Sequence, residues 1–208
     1  MHTGGNIESP VEEHPNKPES TYELIRRRWS PRSFSDQAIT DQDLKLMFEA
    51  ASWAASSYNE QPWRFIVAKK SDGPAYERVL NTLALFNQTW AKSAPVLVIT
   101  VAKRTFTHIG TPNKHALHDT GAALAYLALQ ATALGLHVHG MAGFDAEKAR
   151  TDLHIPADYE PVAAAAIGYL GSPDDLPEPY RERERAPRQR KPISELVFRD
   201  VWDQPWNF

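Results

Sequence analysis

The sequence predicts a mixed α and β fold of the non-alternating kind, and three observations carry that reading. The run VLVITVA, residues 96–102, is short, continuous and β-branched, as expected of a central strand covered on both faces. The stretch from about His115 to Leu134 is Ala-rich and apolar almost all round and stops at Gly135, which predicts a long helix through the centre of the protein. Helices and strands do not follow one another in a regular βαβ rhythm, and no Gly-rich fingerprint follows a strand, which argues against a Rossmann dinucleotide fold.

The remaining elements follow from local signals. Ser20 with Glu23 has the form of a capping box that starts a short helix, at whose C-terminal end Arg26, Arg27 and Arg28 fall. Thr40 with Asp43 starts a second helix, with Leu44, Met47, Phe48, Ala51 and Ala55 apolar at spacings of three and four. Pro62 biases Gln61 away from helix, so SSYNEQPW reads as a loop feeding a strand over RFIVA. Asp72-Gly73-Pro74 makes a turn, after which Val79, Leu80, Leu83 and Phe86 suggest one further helix, closed by Ala94-Pro95. VAAAAIGYLG, residues 162–171, reads as a buried strand of small side chains, while SPDDLPEPYRERERAPRQRKP reads as a surface excursion with too little apolar content for a core. ISELVF then returns to alternating apolar residues before a tail with Trp202 and Trp206.

A chain of 208 residues is long enough to bury a self-sufficient core. It has no Cys, so a thiol nucleophile, a thiolate zinc site and a cysteine-held iron–sulfur cluster are all excluded. The net charge of −3 does not suggest a nucleic-acid binder, and any anion site must be local. Residues 1–19 lack the apolar core of a signal peptide and read as a disordered lead-in, and the most apolar window is interrupted by Gln130 and Thr132. The expectation is a cytoplasmic protein without a membrane span.

The chemistry-bearing candidates start with IRRRWSPRSF. The planar guanidinium fork gives paired charge-assisted hydrogen bonds to phosphate, so Arg28 and Arg32 with the Ser30 hydroxyl between them could grip one phosphate. Complementing a helix dipole is the competing reading of the same cations. His137 and His139 share one face of a strand, and His115 and His118 are spaced i, i+3, but neither pair has a third ligand, so no metal is expected. Ser56 and Ser57 lack any nucleophile elbow or triad. RERER reads as a salt-bridged surface run.

Four segments, in order and spanning about Glu23 to Val197, resemble the FMN-dependent nitroreductase family: RRWSPRSF, AASSYNEQPWRFIV, HGMAGFD and RQRKPISELV. The resemblance implies an α+β, nitroreductase-like fold over residues 20–198, a mainly antiparallel central sheet flanked by helices, paired as an intertwined homodimer, with residues 199–208 as a tail. It implies that Arg28 and Ser30, with Arg188 and Arg190, hold the FMN phosphate, and that Arg32 reaches the ribityl chain or the pyrimidine edge. Trp29 stands where the family commonly carries a second basic residue or a histidine. Ser56, Ser57, Asn59 and Gln61 would contact the flavin held mainly by the other subunit. Met141 would pack on the ring, a backbone N–H of Ala142 or Gly143 would donate to it, and Asn87 would bind its pyrimidine edge. Arg26 and Arg27 fall outside the matched positions and are expected to be solvated charges. The closing segment ISELV is expected as a strand. The implied activity is ping-pong electron transfer from NADH or NADPH through FMN to a small acceptor such as a nitroaromatic or quinone, with no catalytic side chain. The alternative is a non-catalytic flavin-binding sensor or carrier.

Overall fold

The computed structural model describes residues 20–206. The lead-in over residues 1–19 lies outside them, as do the last two residues of the tail.

Both capping signals act as read. Ser20 and Glu23 form a reciprocal capping box at the start of α1 (Thr21–Arg27), and Thr40 accepts from the Asp43 amide at the start of α2 (Asp41–Ser52). Helix α2 buries Leu44, Met47 and Ala51 and ends before Ala55. The loop after it feeds β1 (Trp63–Lys69). The single helix expected over Val79 to Phe86 is two: α3 (Pro74–Leu80) and α4 (Leu85–Ala91). Leu83 lies between them in an isolated antiparallel bridge with Phe144, and the Ala84 amide donates to the Gly143 carbonyl, so long-range backbone pairing interrupts the helix.

Strand β2 (Val96–Lys103) is buried over seven of its eight residues. It is followed by α5 (Ala116–Ala133), β3 (His137–Met141), α6 (Ala146–Asp152), β4 (Tyr159–Gly168) and α7 (Tyr180–Arg185). The four strands form one antiparallel sheet in the order β1-β2-β4-β3. One core cluster centres on Trp90, Leu97, Ile99 and Met141, the other on Met47, Val98, Leu127, Leu136 and Ile167. Alternate residues of β2 enter each cluster, as the two-residue period of a strand requires. The Ala run of β4 reads correctly as strand: its small side chains pair with Leu97 to Thr100.

Helix α5 is not enclosed all round. Ala123, Leu127 and Ala131 face the core, whereas Leu117 and Tyr126 are exposed within the single chain. Two further expectations are corrected in the C-terminal part. The proline-rich excursion does supply core, because Leu176 and Glu184 are buried and Tyr180 packs on the first cluster. ISELV is no strand; Ile193–Glu195 forms a 3-10 turn with Ile193 and Leu196 exposed. It has no ladder partner among the described residues of its own chain, so its backbone closes locally. No helix among the described residues is long and apolar enough to cross a membrane.

Candidate functional site: an arginine-lined cleft

The stretch from Arg28 to Ser35 leaves α1 and lies beside the chain just beyond β4. The Ser35 amide donates to Tyr169 O at 3.0 Å, Gly171 N donates to Ser33 O at 3.0 Å, and Phe34 bridges Leu170. The approach is close enough to require glycine, since a Cβ on Gly171 would lie 2.7 Å from the Phe34 carbonyl carbon and from Ser33 Oγ. His139 on β3 fixes the other side, its Nδ1 2.8 Å from Pro31 O and its ring 4.5 Å from that of Trp90. Burial drives the His139 pKa down to about 4, with the Arg32 charge adding to the effect, so the imidazole is neutral near pH 7. His137, one pleat away, has its pKa lowered by burial and by Arg27 and Arg28; its ring meets Trp29 edge-on at 5.9 Å.

Against this stretch the C-terminal segment returns. Arg188 Nη1 donates to Arg26 O at 2.9 Å and to Arg28 O at 3.1 Å. Glu184 is 8% exposed and accepts from the Arg32 amide at 2.8 and 3.0 Å and from the Ser33 amide at 3.0 Å. Arg32 and Glu184 also form an ion pair at 3.9 Å. The result is a cleft of about 720 Å³ lined by Arg27, Arg28, Trp29, Ser30, Arg32, Arg188 and Arg190, among others. Arg28 Nη1 donates to Ser30 Oγ at 3.2 Å. Burial, then the charges of Arg190 and Arg188, push the Arg28 pKa down, the signature of like charges gathered where water is partly excluded. An anion with several acceptor oxygens suits this donor set, and a dianion would offset the repulsion.

Arg27 is exposed, as expected of a solvated charge, and its Nη2 also donates to Thr132 O at 3.0 Å, tying α1 to the end of α5. RERER is likewise more than a surface run. Its Glu184 is the buried carboxylate that holds the Arg32–Ser33 backbone, while Arg185 pairs outward with Asp174 at 2.5 Å. The alternation of sign concealed this; the usable signal was Leu176, Tyr180 and Glu184 at intervals of four.

The other sequence candidates form two separate groups. Asn87 Nδ2 donates to Gly143 O at 2.9 Å, and a Cβ on Gly143 would meet Phe86 Cζ at 2.6 Å and Asn87 Nδ2 at 2.7 Å. Ala142 is exposed, but Met141 is 4% exposed and belongs to the core, leaving little of its side chain to meet a ligand. Ser56, Ser57, Asn59 and Gln61 lie just before β1, at the opposite edge of the sheet from β3. Trp63 of β1 pairs with Ala102, which pairs with Glu160, whereas the cleft sits past Gly168, the far end of β4. Eight residues of strand separate those levels, roughly 26 Å at the usual rise. One chain therefore does not bring the Ser56–Gln61 loop to its own cleft. Two residues that sequence reading missed hold this loop: Asp119, whose Oδ2 accepts from Ser57 N at 2.9 Å, and Glu60, which accepts from Thr107 N at 3.0 Å. Among the described residues no group of three or more His, Asp or Glu could hold a metal ion.

The fold is thus an antiparallel α+β arrangement with an arginine-lined cleft built from residues near both ends of the chain. A family model described as Nitroreductase family matches residues 25–84 and 71–169. The chain belongs to the nitroreductase family. Among solved structures it is similar to an "oxidoreductase containing FMN", with TM-score 0.83 and 34% identity over 98% of this chain and 100% of that one. It also shares its fold with a nitroreductase family protein of Clostridium difficile, TM-score 0.68 and 24% identity over 88% and 99% of the two chains. A Thermus thermophilus NADH dehydrogenase is 28% identical, the match covering 83% of this chain and 92% of that protein. An uncharacterised 15.4 kDa protein of Mycolicibacterium smegmatis is 30% identical over 68% of this chain and 99% of its own length.

Proposed function

We propose that the protein is an FMN-dependent NAD(P)H oxidoreductase of nitroreductase type. The observation that carries this is the meeting of Arg28, Ser30 and Arg32 with Arg188 and Arg190 in one cleft. The donors fit a phosphate monoester dianion, because rigid forks and one hydroxyl line a partly dehydrated space. Arg28, Ser30, Arg188 and Arg190 would hold the phosphate, with Trp29 walling the cleft and Arg32 reaching further along the ligand. Asn87 and the backbone of Ala142–Gly143 would serve the flavin ring, and the loop of Ser56, Ser57, Asn59 and Gln61 would come from a second copy, making a homodimer the active unit. FMN held there would supply the hydride and two-electron chemistry that links NAD(P)H to a small organic acceptor in a ping-pong reaction. With a quinone the balance is NAD(P)H + H⁺ + quinone giving NAD(P)⁺ + hydroquinone. The protein positions, excludes water and donates hydrogen bonds; it needs no side chain of its own as acid or base. We place the activity in the cytoplasm.

Purified protein should be yellow or bind added FMN, sediment as a dimer at micromolar concentration, and bleach anaerobically with NADH or NADPH. Colourless protein that takes up no FMN would sink the reading, and yellow protein that neither nicotinamide bleaches would make it a flavin carrier.

A further inference from the structure

Helix α7 sends two side chains, one turn apart, to two different parts of the site. The Tyr180 hydroxyl donates to Phe86 O at 2.9 Å, and Phe86 packs against Gly143 beside Asn87, the group assigned above to the flavin ring. Four residues on, Glu184 meets the arginine-bearing stretch. Its Oε1 accepts from the Arg32 amide at 2.8 Å and from the Ser33 amide at 3.0 Å, while Oε2 accepts from the Arg32 amide at 3.0 Å and lies 3.9 Å from Arg32 Nη1. Leu176 and Tyr180 seat this segment in the first core cluster, so the carboxylate is held where it is rather than following solvent.

A carboxylate is an unexpected wall for an anion cleft. Among the described residues that line the cleft, Glu184 is the one acid and faces six arginines. Its side chain is 2% exposed, against 26% for Arg32. Holding two backbone amides does not require a charge, since a neutral carbonyl oxygen accepts them as well. A buried carboxylate is also costly unless donors and a cation surround it, and a negative charge here opposes phosphate binding. Its use therefore lies in what it does to Arg32. That cation is only partly neutralised, for its charge still adds to the lowering of the His139 pKa.

We propose that Glu184 is a tuning residue for the bound flavin: fixed against Arg32, it offsets part of that cation's field and lowers the flavin reduction potential. This rests on the FMN reading above, in which Arg32 reaches along the ligand beyond the phosphate. A positive charge near the ring favours the reduced cofactor, which carries more negative charge than the oxidised one, and a carboxylate beside that cation takes part of the effect back. The result is a cofactor that gives up electrons more readily than Arg32 alone would allow.

The test is anaerobic reduction of the holoenzyme in equilibrium with a two-electron indicator dye, on wild type, Glu184→Gln and Arg32→Gln. Bound FMN per chain and the urea midpoint are measured on each. Gln keeps the oxygen that accepts from both amides and removes the charge. Glu184→Gln should move the flavin–dye equilibrium roughly three- to tenfold toward reduced flavin, about 14–30 mV for a two-electron couple, and Arg32→Gln should move it the other way. An unchanged or lowered potential in FMN-replete Glu184→Gln overturns the proposal. Reduced FMN content with an unaltered potential in the bound fraction does so too, because the carboxylate is then a clamp alone. If Glu184→Gln does not fold, Arg32→Gln decides: a potential that fails to drop shows that this pair's charge does not reach the ring. Wild-type protein that takes up no FMN fails the underlying reading, and that outcome is visible before any potential is read.

Discussion

Glu184→Ala should destabilise the protein more than any other single change in the charged C-terminal segment. The carboxylate is 8% exposed and receives two backbone amides, Arg32 N and Ser33 N. A hydrogen bond to a charged group is worth about 1.5–3 kcal/mol net. Water in the adjoining cleft can replace part of what is lost, so the low end applies to each amide and the expected cost is about 3 kcal/mol. That stays within the roughly 3–5 kcal/mol measured for breaking buried charged pairs. For a chain of this size it corresponds to a fall in Tm of roughly 6–12 °C. Urea unfolding followed by circular dichroism should show a lower midpoint at unchanged m, with Glu184→Gln falling between, because its amide oxygen is a weaker acceptor. A loss below about 0.5 kcal/mol for Glu184→Ala would show that the carboxylate does not hold the arginine-bearing stretch, and that the clasp between the two ends of the chain is made elsewhere.

Three further outcomes are expected. Arg28→Ala should weaken FMN binding by about 1.5–3 kcal/mol, read by fluorescence titration of the apoprotein, and an unchanged Kd would remove Arg28 from the site. The His139 pKa falls from 6.5 to about 4 on folding, so the unfolded chain takes up its proton first; stability is full above about pH 6.5 and declines toward pH 4, by at most about 3 kcal/mol. Urea midpoints from pH 7 to 4.5 should follow that course in wild type and flatten in His139→Gln; equal slopes in both would refute it. Gly143→Ala places a Cβ 2.6 Å from Phe86 and 2.7 Å from Asn87, which should cost about 1–3 kcal/mol and displace the Asn87 amide, measurable as lost stability and weakened flavin affinity together.

Much of the fold is written locally. Ser20 with Glu23 and Thr40 with Asp43 mark their helices because the capping bonds span three residues, and VLVITVA marks the central strand because its neighbours cover both faces. The errors arose where distant backbone intervened. Leu83 leaves the helix to bridge Phe144, and no window around residue 83 contains residue 144. The four matched segments carried the family, and they carried the candidate cleft as well, although nothing in RERER distinguished the buried Glu184 from its solvated neighbours except a four-residue spacing.

The sequence by itself determined the starts of α1 and α2, the buried strands β2 and β4, the family and the basic residues available at either end of the chain. Only the tertiary structure decided that Arg188 reaches the carbonyls of Arg26 and Arg28, that Glu184 rather than solvent meets the Arg32 amide, and that the Ser56–Gln61 loop lies at the other end of the sheet from its own cleft. The physical reason is range: capping and periodicity act over a turn or a pleat, whereas a cleft is made by groups about 150 residues apart, whose meeting depends on the whole sheet between them.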